Sequence, residues 1–180
     1  QDCNYEWGGV AVFDNCGRCV SETTNLCVDN NDDGYDDRDI AFIQALLDSS
    51  GINISPTEIG MQSWDFGRLR SFNCNEYCNL ATSIPPIIGN VKFLYTLRIE
   101  NNAIRGELPD EFYSLINLTN LYLRNNQISG SISEDIYKLS LLSELDLSHN
   151  LMEGAIPDSL YSLSRLYRLD LSENKFSGNI

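Results

Sequence analysis

The sequence predicts an α/β solenoid, and three observations carry that prediction. Four copies of one 24-residue pattern run through residues 92–180. Each copy contains a short apolar–polar alternation, the mark of a strand with one buried face. A single stretch of helical period precedes them and stands where an end cap belongs. The chain divides accordingly into a Cys-rich segment over 1–28, an acidic loop with the cap helix over 29–68, and the repeats over 69–180.

The first segment shows no helical or strand period. Cys3, Cys16, Cys19 and Cys27 point to two disulfides, with three pairings that sequence does not separate. Cys16 and Cys19 also have the spacing of half a zinc site or a redox pair. No His lies nearby, however, and no strand–helix context surrounds them. Six Cys in 180 residues fit an oxidising compartment. The first residue is Gln rather than Met, which suggests a removed signal peptide. No apolar run of about 18 residues is present, so nothing reads as a membrane-spanning helix. The expected location is secreted or cell-surface.

Residues 29–39, DNNDDGYDDRD, hold six Asp against Arg38 alone. Asp29, Asn31 and Asp33 alternate, Gly34 permits a sharp turn, and Asp37 follows. Oxygens at that spacing converge on one hard cation, the pattern of a calcium loop. Without a cation, so many carboxylates repel one another strongly. The twelfth loop position is Ile40, where such loops place a bidentate acid, so Asp39 would have to serve in a shortened loop.

DIAFIQALLDSSG then sets Ile40, Ile43, Leu46 and Leu47 on one helical stripe. Asp37 or Asp39 is the expected N-cap, and Gly51 falls just past the end. Ser63 and Trp64 follow, and then a degenerate repeat: Leu69, Phe72, Cys74, Tyr77, Leu80, Ile84, Pro85, Ile88. Phe72 to Pro85 is one residue longer than Leu97 to Pro109, so the first coil carries an insertion. Cys74 and Cys78 can bridge if the chain turns between them.

In the clean repeats Leu97, Leu121, Leu145 and Leu169 are 24 apart, as are Asn102, Asn126, Asn150 and Asn174. Gly106, Gly130, Gly154 and Gly178 keep the same step, and so do Leu108, Ile132, Ile156 and Ile180. The leucines form the buried face. Each Asn sits at a turn, where its amide can satisfy backbone groups left open inside the coil. The Gly accepts backbone angles other residues avoid. Pro109 and Pro157 hold the return stretch extended. One copy cannot bury enough surface to fold alone, so stability belongs to the stack.

The pattern LxxLxLxxNxxxGxIP resembles the plant-type leucine-rich repeat of receptor-kinase ectodomains and polygalacturonase-inhibiting proteins. That resemblance implies a right-handed coil with a parallel concave β-sheet, an N-terminal cap made from the helix and Ser63-Trp64, and a binding role. The DxNxDG run of the acidic loop resembles dockerin and thrombospondin type-3 loops. It implies Asp29, Asn31 and Asp33 as side-chain calcium ligands, Tyr35 as a carbonyl ligand, and Asp37 as a ligand directly or through water. The first segment is similar to small Cys modules of secreted microbial proteins.

Polar strand positions stack into columns: Thr96, Asn120, Glu144, Arg168; Arg98, Tyr122, Asp146, Asp170; Glu100, Arg124, Ser148, Ser172; and Asn101, Asn125, His149, Glu173. Arg98, Glu100, Tyr122, Arg124, Asp146, His149, Arg168 and Asp170 are the candidate contacts for a protein or glycan ligand. Tyr113, Tyr137 and Tyr161 form a second ladder away from the strands, as edge packing or as a contact stripe. Asn53 and Asn117 head glycosylation sequons, the first weakened by Pro56.

The remaining classes find little support. Net charge is −14, and the first 40 residues hold ten acids against two bases, which repels nucleic acid. His149 is the sole histidine and no phosphate-binding loop occurs, so no catalytic centre is expected. Ice binding needs a regular Thr or Asn row that the mixed columns lack. The last repeat stops at Ile180 without a cap. End-to-end self-association into a filament is therefore the alternative to a recognition or adhesion module.

Overall fold

The computed structural model describes residues 28–75 and 78–177, with the backbone alone of 12–13 and 19–20. Strand β1 (Val12–Phe13) pairs antiparallel with β2 (Cys19–Val20), a hairpin too short to leave a period in the sequence. Cys3, Cys16, Cys27 and the Cys19 side chain lie outside the described residues.

Helix α1 (Asp37–Ser50) follows the acidic loop. Its N-cap is Asp36, earlier than either expected Asp, and the Asp36 carboxylate accepts the Arg38 N–H at 2.9 Å. Gly51 closes the helix in the left-handed region at φ 69°. Phe42, Ile43, Leu46 and Leu47 are fully buried, while Ile40 at the edge of the stripe is only half-buried. This face packs on the 3-10 turn of the first coil, Pro86–Asn90.

Strand β3 (Met61–Asp65) pairs antiparallel with β4 (Arg68–Asn73). Each later coil gives one strand to the same sheet and one to a short ladder elsewhere on the coil. These are β5 (Thr96–Arg98) with β6 (Arg105–Gly106), and β7 (Asn120–Tyr122) with β8 (Gln127–Ile128). Then come β9 (Glu144–Asp146) with β10 (Glu153–Ala155), and β11 (Arg168–Asp170) with β12 (Lys175–Ser177). The main sheet runs β3-β4-β5-β7-β9-β11, parallel from β4 onward. The 3-10 turns Asp110–Ser114, Glu134–Lys138 and Asp158–Ser162 make the return path of successive coils.

Register confirms both the period and its one exception. Leu97 pairs with Leu121 and Leu145 with Leu169, a step of 24, whereas Phe72 pairs with Leu97, a step of 25. From Leu80 onward the step is 24 again: the N–H of Leu80 meets Asn102 as that of Ile104 meets Asn126. The extra residue therefore lies between Cys74 and Leu80, where the Cys74–Cys78 disulfide has formed.

The asparagine ladder explains how the coils are tied. Asn126 Oδ1 accepts the Ile104 N–H at 3.0 Å, and its Nδ2 donates to the carbonyls of Ile99 at 2.6 Å and Leu123 at 3.0 Å. Asn150 repeats this with Ile128, Leu123 and Leu147, and Asn174 with Met152, Leu147 and Leu171. Each amide thus bonds its own coil and the one before it. Around the ladder Leu97, Leu121 and Leu145 are buried; Leu169, on the last strand of the sheet, is 46% exposed.

Candidate functional site

Two regions gather chemistry: the open face of the main sheet and the acidic loop. On the sheet, Thr96 aligns with Asn120, Glu144 and Arg168, and Arg98 with Tyr122, Asp146 and Asp170. Inside this array the charges are partly matched. The Arg98 guanidinium lies 4.1 Å from the Tyr122 ring centroid and 3.6 Å from Glu100. Glu144 accepts the Tyr167 hydroxyl at 2.7 Å and Asn120 Nδ2 at 3.3 Å, with Arg168 at 3.3 Å. The Tyr167 hydrogen bond foremost, then that of Tyr122, hold the Glu144 carboxyl below its usual value.

Asp146 and Asp170 play a local part that the column reading missed. Each accepts both the backbone N–H and the hydroxyl of the Ser two residues on, Ser148 and Ser172. Those Ser172 bonds lower the Asp170 carboxyl. Asp146 is only 3% exposed, and Tyr122 is covered beneath Arg98. Arg124, His149 and Arg168 are exposed, while Arg98, Glu100 and Asp170 are half-buried.

Past the strand ends, Glu100, Asn101, Arg124, Asn125 and His149 line an open cleft of about 440 Å³. Asn125 Nδ2 donates to Asn101 Oδ1 at 2.8 Å. Asn101, Asn125, His149 and Glu173 all adopt φ near 55°, because the chain turns there into the coil. Asn tolerates this region well and His adopts it more readily than most residues; Glu173 holds it against steric preference.

At the cap end of the sheet, Arg70 donates to Asp65 at 2.8 Å and to the Tyr95 hydroxyl at 3.1 Å, beside the rings of Phe93 and Tyr95. The degenerate spelling of the first repeat hides this cluster; only the 25-residue register brings Arg70 beside Tyr95. The tyrosine ladder is not uniform. Tyr113 is buried and accepts the Ser133 N–H through its hydroxyl, whereas Tyr137 and Tyr161 are exposed.

The acidic loop closes on itself. Asp29 accepts the N–H groups of Asp33 and Gly34, and Asp33 that of Tyr35, with Gly34 at φ 87°. Asn31 donates to Asp33, and Tyr35 stacks edge-on against Trp64 at 4.7 Å. Asp37 instead accepts the backbone and side-chain N–H groups of Asn30.

Asp39 does not join this loop, which corrects its assignment as a ligand. It is fully buried, its oxygens taken by Arg68 at 2.8 and 2.9 Å and by the Leu69 N–H at 2.8 Å. Among the described residues no three acid, His or Cys side chains gather as a metal cluster. Asp29, Asn31 and Asp33 supply the hard oxygen donors that suit calcium. Of the sequon residues, Asn53 is exposed, and half-buried Asn117 donates to the Lys92 carbonyl at 2.7 Å.

Residues 92–152 match the family model described as leucine rich repeat. The ectodomain of the receptor kinase SOBIR1 from Arabidopsis thaliana superposes with a TM-score of 0.70 at 29% identity, covering 81% of this chain and 84% of that one. The fold is a leucine-rich-repeat solenoid. A plant ice-binding protein shares the leucine-rich-repeat fold at TM-score 0.69 and 24% identity, over 79% of this chain and 50% of that one. The plant peptide hormone receptor RGFR1, solved in complex with RGF2, matches at TM-score 0.56 and 30% identity. That match covers 62% of this chain but 18% of the receptor, so this chain spans a small part of its length. No curated protein sequence matches the chain.

Proposed function

We propose that the chain is an extracellular recognition module whose concave sheet binds a protein segment. The observation that carries this reading is the unbroken parallel register from β4 to β11, which stacks exposed and half-buried polar side chains on one open face. The likeness to RGFR1, a peptide hormone receptor, favours a peptide over a glycan. The Cys74–Cys78 disulfide and the likeness to the SOBIR1 ectodomain support an extracellular setting.

The test is selection of displayed peptides against the whole chain, followed by affinity measurement on variants. Arg98→Ala weakens the selected peptides by about tenfold, and Tyr137→Ala, on the return path, leaves them unchanged. Peptides that respond to Tyr137→Ala and ignore Arg98→Ala would place binding elsewhere.

Calcium belongs to this reading as a stabiliser of residues 29–37. Asp29, Asn31, Asp33 and the Tyr35 carbonyl would hold it, joined by Asp37 once released from Asn30, and the bound ion would offset the carboxylate repulsion there. Millimolar calcium then raises the melting temperature by about 4 °C or more over a chelated sample, and Asp33→Asn abolishes the rise. Equal melting temperatures in both conditions rule the ion out.

A further inference from the structure

The cleft at the strand ends gives the proposed recognition face a ligand chemistry. Arg124 is exposed there and has no ion-pair partner among the described residues. The one acid lining the cleft, Glu100, is already paired with Arg98. Its other walls are Asn101, Asn125 and His149. In a chain of net charge −14, this is a local donor-rich site of positive sign. A carboxylate fits it, since Arg124, Asn125 and His149 all carry N–H donors.

Two strands farther on, the sign reverses. Asp170 and Glu173 make no salt bridge among the described residues; the Ser172 bonds foremost, and the more distant Arg124 charge after them, lower the Asp170 carboxyl. Strands in a sheet lie about 4.8 Å apart, so β7 and β11 are separated by roughly 10 Å, or about three residues of an extended chain crossing them. A polyuronic glycan carries an acid on every sugar and would meet Asp170 and Glu173 with like charge. A peptide can change sign along its length.

We propose that the concave face selects an extended peptide by charge order: an acidic side chain seats in the cleft at Arg124, Asn125 and His149, and a basic side chain about three residues away faces Asp170 and Glu173. This rests on the peptide-recognition reading above and specifies its ligand. Charge order of this kind sets specificity and register more than raw affinity.

A displayed octapeptide library, panned on the whole chain and on Arg124→Glu, tests it, with tetragalacturonate as a second probe. The wild-type chain enriches Asp or Glu about three residues from Lys or Arg. Arg124→Glu, at an exposed position, weakens those peptides by at least about tenfold and enriches Lys or Arg in place of the acid. Arg124→Gln, which adds no repulsion, gives a smaller loss, and unchanged circular dichroism shows that both variants fold. Enriched peptides with no acid preference that still respond to Arg98→Ala overturn the charge order and leave the recognition reading standing. A panel with no enriched peptide removes both. Tetragalacturonate binding that Arg124→Glu abolishes and peptides fail to displace overturns the peptide assignment.

Discussion

Asn126 holds four backbone groups from one buried amide: the Ile104 N–H and the carbonyls of Ile99, Leu123 and Arg124. Asn126→Ala strands these groups where water does not reach, at a cost of about 2–4 kcal/mol. Gln127→Ala, next door and exposed, stays within about 0.5 kcal/mol. Urea unfolding of the two variants checks the difference, and equal losses would reject the ladder as a structural tie. This role was legible because the same residue recurs at a fixed step beside a turn. Asp39 was not legible in the same way. Its partner Arg68 lies 29 residues away, in a hairpin that leaves no strong period, so a local reading assigned it to the nearest acidic run. The backbone at His149 is legible from its column: a turn position spelled Asn in two copies marks left-handed backbone, not only surface polarity.

The cap helix depends on a charge at its N-cap, the residue just before its first turn. Asp36 is buried, which by itself would raise its pKa. The Arg38 hydrogen bond, the Val28 N–H and the nearby Arg68 charge outweigh that, and the carboxyl lies below its usual value. A carboxyl lowered on folding adds stability above the unfolded value near pH 4, and the addition is lost as pH falls through the folded value. Asp36→Asn keeps an N-capping side chain but loses the charge. We expect a loss of about 1–3 kcal/mol at pH 7, narrowing below about pH 4 as the wild type is protonated. Urea titrations at pH 7 and pH 3 measure it; a gap that stays constant contradicts the assignment. The helix itself was legible from its apolar stripe. Its start was not, because Asp36, Asp37 and Asp39 compete and only tertiary bonds to Val28 and Arg68 decide among them. Strand β3 was marked only by Ser63 and Trp64, since neither of its faces is fully buried.

Across the whole molecule, stability is shared between neighbouring coils, so the same chemical change costs more inside the stack than on its last strand. Leu121 is 1% exposed and Leu169 is 46% exposed. Leu121→Ala costs about 2–5 kcal/mol, and Leu169→Ala about 1 kcal/mol, by urea unfolding. Equal costs would mean that the coils do not support one another. The period made this architecture readable from sequence, whereas the cover over Tyr122 depended on Arg98 leaning across the sheet. The central claim is that the open face of this sheet is the recognition surface. Nuclear magnetic resonance shift mapping of the whole chain with a peptide selected against it tests that most directly. Shifts concentrated along β4, β5, β7, β9 and β11 and the Arg124 cleft are the predicted result. Shifts confined to the return turns around Tyr137 and Tyr161 would contradict it.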